Sequence, residues 1–349
     1  MNATPSVRAR TLPVVLALVL SAVSSSAEEP RPVLQALGIE DVHLTPAFWV
    51  AQLEEPDAVL MERPAIAAQN ERLMQLDPSM HDLEALPATL TGRQVATWIE
   101  DLAQPPSRTL YGTGGEPVSE ATVEAAVANR NLAAIPERQA TRYGLVVRRA
   151  ALRTFPTALR VFRSPDDSDI DRFQESALFP GTPVVIAHES LDGRWWFVVS
   201  PRYAAWIQKR HVAEGPAADV FAWRAKKPYR IVTGAAARTV YTPDEPALSE
   251  LELEMGVRLP VRSDWPSGLA VNGQHPYTAH VIELPLRTDD GHLRLAPALI
   301  QKNAETASDY LPLTRANIIR QGFRFLGERY GWGHSYGARD CSGFVSEVY

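Results

Sequence analysis

The 349 residues contain a single cysteine, Cys341. It stands in Asp340-Cys341-Ser342-Gly343, followed by the apolar pairs Phe344-Val345 and Val348-Tyr349 and preceded by a loop punctuated by Gly331, Gly333 and Gly337. This order predicts a helix whose first turn holds the thiol. A helix N-terminus offers unpaired N–H groups and the positive end of the dipole, which favour the nucleophilic thiolate. Asp340 is of the type that caps such a helix, and Gly343 permits close approach of another chain or of a substrate. A lone cysteine is as often an inert core residue, so spacing alone leaves both readings open. The count does exclude an intrachain disulfide framework and a cysteine-built zinc site. The eight histidines (43, 81, 188, 211, 275, 280, 292 and 334) form no HExxH or other metal pattern, so no metal and no cofactor is expected.

The elements that must position this thiol fall into blocks. Residues 28–142 read as mostly helical, with apolar residues from Ala58 to Leu76 at mixed three- and four-residue spacing and an Ala- and Glu-rich run from Ser119 to Ala134. Residues 143–215 switch to strand signals. Val184 to Ala187, Trp195 to Val199 and Ala205 to Ile207 read as strands, with Asp192-Gly193 as a hairpin turn between the first two. Residues 216–303 repeat the style, with Ile231-Val232, Val257 to Val261, Tyr277 to Leu286 and Leu293 to Leu295 around the turn Asp289-Asp290-Gly291. Two consecutive small β-barrels are expected. In the last block, 304–349, Thr314 is expected to cap a helix with Ile318, Gly322, Phe323 and Leu326 on one face. The fold class is multidomain α+β.

Composition adds the setting. The net charge is −6, with 22% charged and 45% apolar residues, an ordinary globular balance. Mild acidity argues against nucleic acid as a partner. Residues 1–27 read as a signal peptide: Arg8 and Arg10, an apolar run from Leu12 to Val23, then small residues ending at Ala27. The run is shorter than the roughly 20 residues a membrane span needs. Removing this segment takes away two arginines and no acid, moving the charge to −8. An exported protein without a membrane span is expected, periplasmic or extracellular. In that oxidising setting an unpaired thiol is buried, used intermolecularly, or kept as a nucleophile.

The run Tyr330-Gly331-Trp332-Gly333 followed by Asp340-Cys341-Ser342-Gly343-Phe344-Val345 resembles the opening motif of the NlpC/P60 family of cell-wall cysteine peptidases. His334 departs from it, standing where that family usually has a second Gly. One branch of the family carries a helical N-terminal stabilising domain and two bacterial Src-homology-3-like (SH3-like) barrels ahead of a reduced papain-like α+β domain. Asp192 to Val199 and Ser200 to Ile207 look like the first of those barrels.

The resemblance implies hydrolysis of the γ-D-glutamyl–diamino acid bond of peptidoglycan stem peptides or muropeptides by the thiolate of Cys341. It implies that Tyr330 faces the active site, that Asp340 and Ser342 help hold a free peptide N-terminus, and that Tyr203 of the first barrel walls the cleft. Such a wall favours short free peptides, and so turnover over lysis of the whole wall. The family places its histidine base and a third polar residue several tens of residues after the cysteine. The expectation is therefore a C-terminally truncated chain, with an incomplete catalytic domain at 304–349 that does not turn over substrate by itself. A non-catalytic wall-binding protein using its barrels is the alternative, and another papain-like acyl or amide transfer a third.

Overall fold

The computed structural model describes residues 38–102 and 104–349. The expected signal segment 1–27 lies outside the described residues. The chain divides into two compact units, residues 1–41 and 42–349, and the elements below belong to the second.

Four helices come first: α1 (Pro46–Val50), α2 (Arg63–Leu76), α3 (Gly92–Leu102) and α4 (Glu120–Ala128). Ser119 caps α4 by accepting from the Thr122 N–H. Two short strands, β1 (Thr89–Thr91) and β2 (Arg138–Ala140), pair antiparallel between them. The apolar spacing from Ala58 to Leu76 does form a helix over α2, but no residue of α2 is buried. The helix of this block that packs on the first barrel is α3, through Val95 and Ile99 one turn apart.

Seven antiparallel strands follow: β3 (Arg142–Val146), β4 (Ala150–Arg153), β5 (Gln174–Leu178), β6 (Pro183–Glu189), β7 (Trp195–Val199), β8 (Ala204–Gln208) and β9 (Val212–Gly215), in the order β5-β4-β8-β7-β6-β3-β9. The continuous apolar run of β7 has a simple cause, because both faces of that strand are covered. Trp196 and Val198 point into the barrel with Val184, Ile186 and Ile207. Trp195, Phe197 and Val199 point outward, onto Leu90, Val95 and Ile99 of the helical layer. The alternation of a strand is therefore hidden in the sequence, as it is in any sheet buried on both sides. Gly193 supplies the left-handed residue of the β6–β7 turn, at φ +67°.

A linking helix, α5 (Ala217–Ala225), lays Val220 and Trp223 against Leu145 of the first barrel. The second β region comprises β10 (Tyr229–Val232), β11 (Ala236–Arg238), β12 (Glu252–Glu254), β13 (Arg258–Pro260), β14 (Ala279–Arg287), β15 (Leu293–Gln301) and β16 (Thr306–Ala307). The nine-residue strands β14 and β15 form a hairpin about the Asp289-Asp290-Gly291 turn. Leu253, Leu259, Ile282, Leu284 and Ile300 meet in one core.

The chain ends with α6 (Arg315–Gly322) and α7 (Cys341–Val348), separated by single 3-10 turns. Thr314 caps α6, accepting from Asn317 N–H at 3.1 Å. The face expected to be buried at Ile318, Gly322, Phe323 and Leu326 is not the buried one. Ala316, Gln321 and Phe325 are buried instead, and Leu326 is 58% exposed. The helix stops at Gly322 and a tighter turn over Phe323–Phe325 shifts the phase, so a pattern counted at 3.6 residues per turn runs out of register.

Candidate active site

Cys341 is exposed and is the first residue of α7. Asp340 caps the helix, its Oδ1 accepting from Gly343 N–H at 2.7 Å and from the Ser342 hydroxyl at 3.0 Å. Its Oδ2 accepts from Gly333 N–H at 3.1 Å, which ties the glycine loop to the same carboxylate. Tyr330 stands beside the thiol. Partial burial first, then the neighbouring Cys341 and Asp340, push its phenol above the ordinary range.

Tyr203 reaches the same place from the first barrel. Its hydroxyl donates to Glu175 Oε2 at 2.6 Å. Burial first, then Glu175 and Asp340, drive its pKa far upward, so it stays a neutral donor. The structure thus brings Cys341, Tyr330, Asp340, Ser342 and Tyr203 together. The hydroxyl of Tyr203 is directed at Glu175, and that of Ser342 at Asp340.

Strand β5, which the sequence reading missed, is the platform. Trp332 Nε1 donates to the Gln174 carbonyl at 3.1 Å, and Gln174 Nε2 donates to the Gly333 carbonyl at 2.7 Å. Tyr336 donates to the Ser168 carbonyl at 3.0 Å and packs its ring under Arg160. The loop ahead of the cysteine is therefore fastened to the first barrel along its length. Trp332 serves this attachment.

Beneath α7 lies a buried ionic cluster that no motif announced. Arg149, in the β3–β4 turn, pairs with Glu254 of β12 and donates to the carbonyls of His334 and Ala338, both at 2.8 Å. Arg339 donates through Nε to Glu347 Oε2 at 2.6 Å, binds Glu328 at 2.8 Å, and lies 4.0 Å from the centroid of the Phe325 ring. Burial pushes the Glu254 carboxyl upward against the opposing pull of Arg149. Gly343 does admit a close approach, but from within the chain: the His334 ring lies against it, where a Cβ would come within 2.4 Å of His334 Cε1. No imidazole hydrogen-bonds to Cys341 among the described residues; His334 turns Nε2 toward Glu347 at 3.5 Å.

Among the described residues no group of His, Cys, Asp and Glu could hold a metal ion. None of their helices is long and apolar enough to cross a membrane. An open groove of about 700 Å³ between α4 and the first barrel includes none of the residues around Cys341.

Three comparisons bear on this arrangement. A family model for an SH3 domain of the SH3b1 type matches residues 160–208, the stretch from the β4–β5 connection to the end of β8. No curated protein matches the chain. Among solved structures, an NlpC/P60 endopeptidase from Photobacterium damselae subsp. piscicida superposes with a TM-score of 0.63 at 19% identity, over 85% of this chain and 65% of that one. The two chains share a fold, and the present chain spans 65% of the length of that neighbour.

Proposed function

We propose that this protein is an exported cysteine peptidase of the cell wall, with Cys341 as its nucleophile and the γ-D-glutamyl–diamino acid bond of peptidoglycan stem peptides as its target. The observation that carries the reading is the placement of the single thiol on the first residue of a capped helix, exposed, with two tyrosines and a carboxylate around it. The fold shared with an NlpC/P60 endopeptidase and the SH3-type barrel support it.

In this reaction the thiolate attacks the carbonyl carbon of the scissile amide, and the C–N bond breaks as the amine leaves with a proton. Water then cleaves the thioester. The backbone N–H of Cys341, at the first position of α7, would face the developing oxyanion. The loop carrying Tyr330 and the wall carrying Tyr203 would bound a short peptide, whose ammonium group would meet Asp340. That carboxylate already accepts three hydrogen bonds. A substrate contact would therefore add to its capping role. The proton shuttle needs an imidazole, and His334 is engaged beneath Gly343 instead.

An electrophilic tripeptide tests the reading without requiring turnover. L-Ala-γ-D-Glu extended by a vinyl sulfone in place of the diaminopimelate amide should add its mass at Cys341, faster than the L-Glu diastereomer, and should not label Cys341→Ala. Equal labelling by both diastereomers would refute the assignment. The barrel match favours a second reading, a wall-binding module without catalysis. Under that reading Cys341→Ala keeps full affinity for muropeptides while the electrophile shows no stereochemical preference.

A further inference from the structure

We propose that His334 is a positioning residue for Cys341, acting through Gly343 as a wedge between the first barrel and α7. The inference rests on the reading of Cys341 as nucleophile and adds a residue that this reading does not use. Its backbone is the first sign. His334 sits at φ 60°, ψ 27°, in left-handed space that a glycine enters freely and a residue with a β-carbon enters at a cost, as Tyr336 also does in this turn. A side chain kept at such a position points to a use.

That use is legible in the contacts. The side chain is only 9% exposed. Its ring fills the space beside Gly343, where a Cβ would meet Cε1 at 2.4 Å and Nε2 at 2.5 Å. Phe179 of the first barrel closes the ring in edge-on, 5.8 Å between centroids. The histidine is thus a wedge between the barrel and the first turn of α7, the turn that begins with Cys341.

Nε2 faces Glu347 Oε1 at 3.5 Å, and that oxygen accepts no hydrogen bond, its companion Oε2 being held by Arg339. Nδ1 is buried without a hydrogen-bond partner. The charged groups around the ring are Glu347 of α7, Arg339 and Asp340 just before α7, Arg149 from the β3–β4 turn and Glu254 from β12. The ring is held in its place by shape.

The test is alkylation of Cys341 by iodoacetamide in the whole chain, where it is the only thiol. His334→Gly relieves the backbone and removes the wedge. It should slow alkylation at pH 7 about two- to fivefold, the size of a first-turn helix effect, while the melting temperature holds or rises. His334→Gln keeps the left-handed backbone and refills part of the space beside Gly343, and should recover the parent rate within about twofold. Alkylation of His334→Gly at the parent rate, or failure of His334→Gln to recover it, would overturn the proposal. The diastereomer test of the peptidase reading is separate. Selective labelling with unaltered alkylation removes only the role of His334, and slowed alkylation without selective labelling removes only the peptidase.

Discussion

Replacing Arg149 by Met keeps the length and apolar stem of the side chain and deletes the charge. Arg149 ties the first barrel to β12 and to the loop ahead of the cysteine, pairing with Glu254 and binding two loop carbonyls. Glu254 is 2% exposed and its second oxygen has no partner. Removing one member of a buried pair leaves an uncompensated charge, which costs about 3–5 kcal/mol at pH 7. Part of that is avoidable, because Glu254 can take a proton. Its carboxyl is already raised by burial, with Arg149 pulling it down, so the substitution lets it climb further. Each added pKa unit corresponds to about 1.4 kcal/mol. The sign follows: the folded variant holds a proton that the unfolded chain releases near the ordinary glutamate range, so its stability falls as pH rises through the elevated value. Urea midpoints for the parent and Arg149→Met should therefore differ more at pH 7.5 than at pH 5. Arg149→Met/Glu254→Gln should regain about 2–3 kcal/mol over the single variant, leaving a deficit of about 1–2 kcal/mol for the two carbonyl bonds. A double variant no better than Arg149→Met, or a deficit independent of pH, would show that the pair does not act as a buried ion pair.

Gly343→Ala should destabilise α7 by about 1–3 kcal/mol, since the new methyl meets a ring that Phe179 and Glu347 keep from swinging away. In a His334→Gly background the same change should stabilise α7 by about 0.5–1 kcal/mol through helix propensity. Amide exchange over 340–349 reads both, and an equal effect in the two backgrounds would sink the argument. His211 is lowered to about 4 by burial, with Arg210 and Arg148 adding to it. The fold binds this histidine neutral, so the stability it contributes is complete above about pH 6.5 and is lost as pH falls toward 4. Partial exposure limits the effect to about 2 kcal/mol. His211→Gln should flatten the melting-temperature profile between pH 7 and pH 4.5, and an unchanged slope would contradict the assignment.

Strands β6, β7 and β8 were legible because their apolar residues and the Asp192-Gly193 turn are local signals. Thr314 and Asp340 were legible as caps for the same reason: a cap is decided within three residues. What the sequence hid depends on distant partners. Gln174 and Glu175 open a strand whose first three residues are polar, and nothing local says that a loop 159 positions on will rest against it. Arg149, Glu254 and Glu347 look like solvated charges until the fold buries them together. Of the candidate site residues, Cys341 and Asp340 could be read from type and spacing. The positions of Tyr330, Ser342 and Tyr203 came from the resemblance, and His334 stood out only as a departure from it.

The attachment of the Trp332–Gly337 turn to β5 bears on how such a protein can be taken apart. SH3-type modules are often treated as interchangeable tags, to be trimmed or exchanged at a linker. Here Gln174 reads the backbone of the glycine loop at one end while Arg153 holds its side-chain oxygen at the other, so the barrel's own interior sets the loop's path. A chimera that grafts the terminal segment onto a foreign barrel would carry every residue of the motif and lose the surface that shapes it. The natural unit of exchange is the barrel and the cysteine loop together.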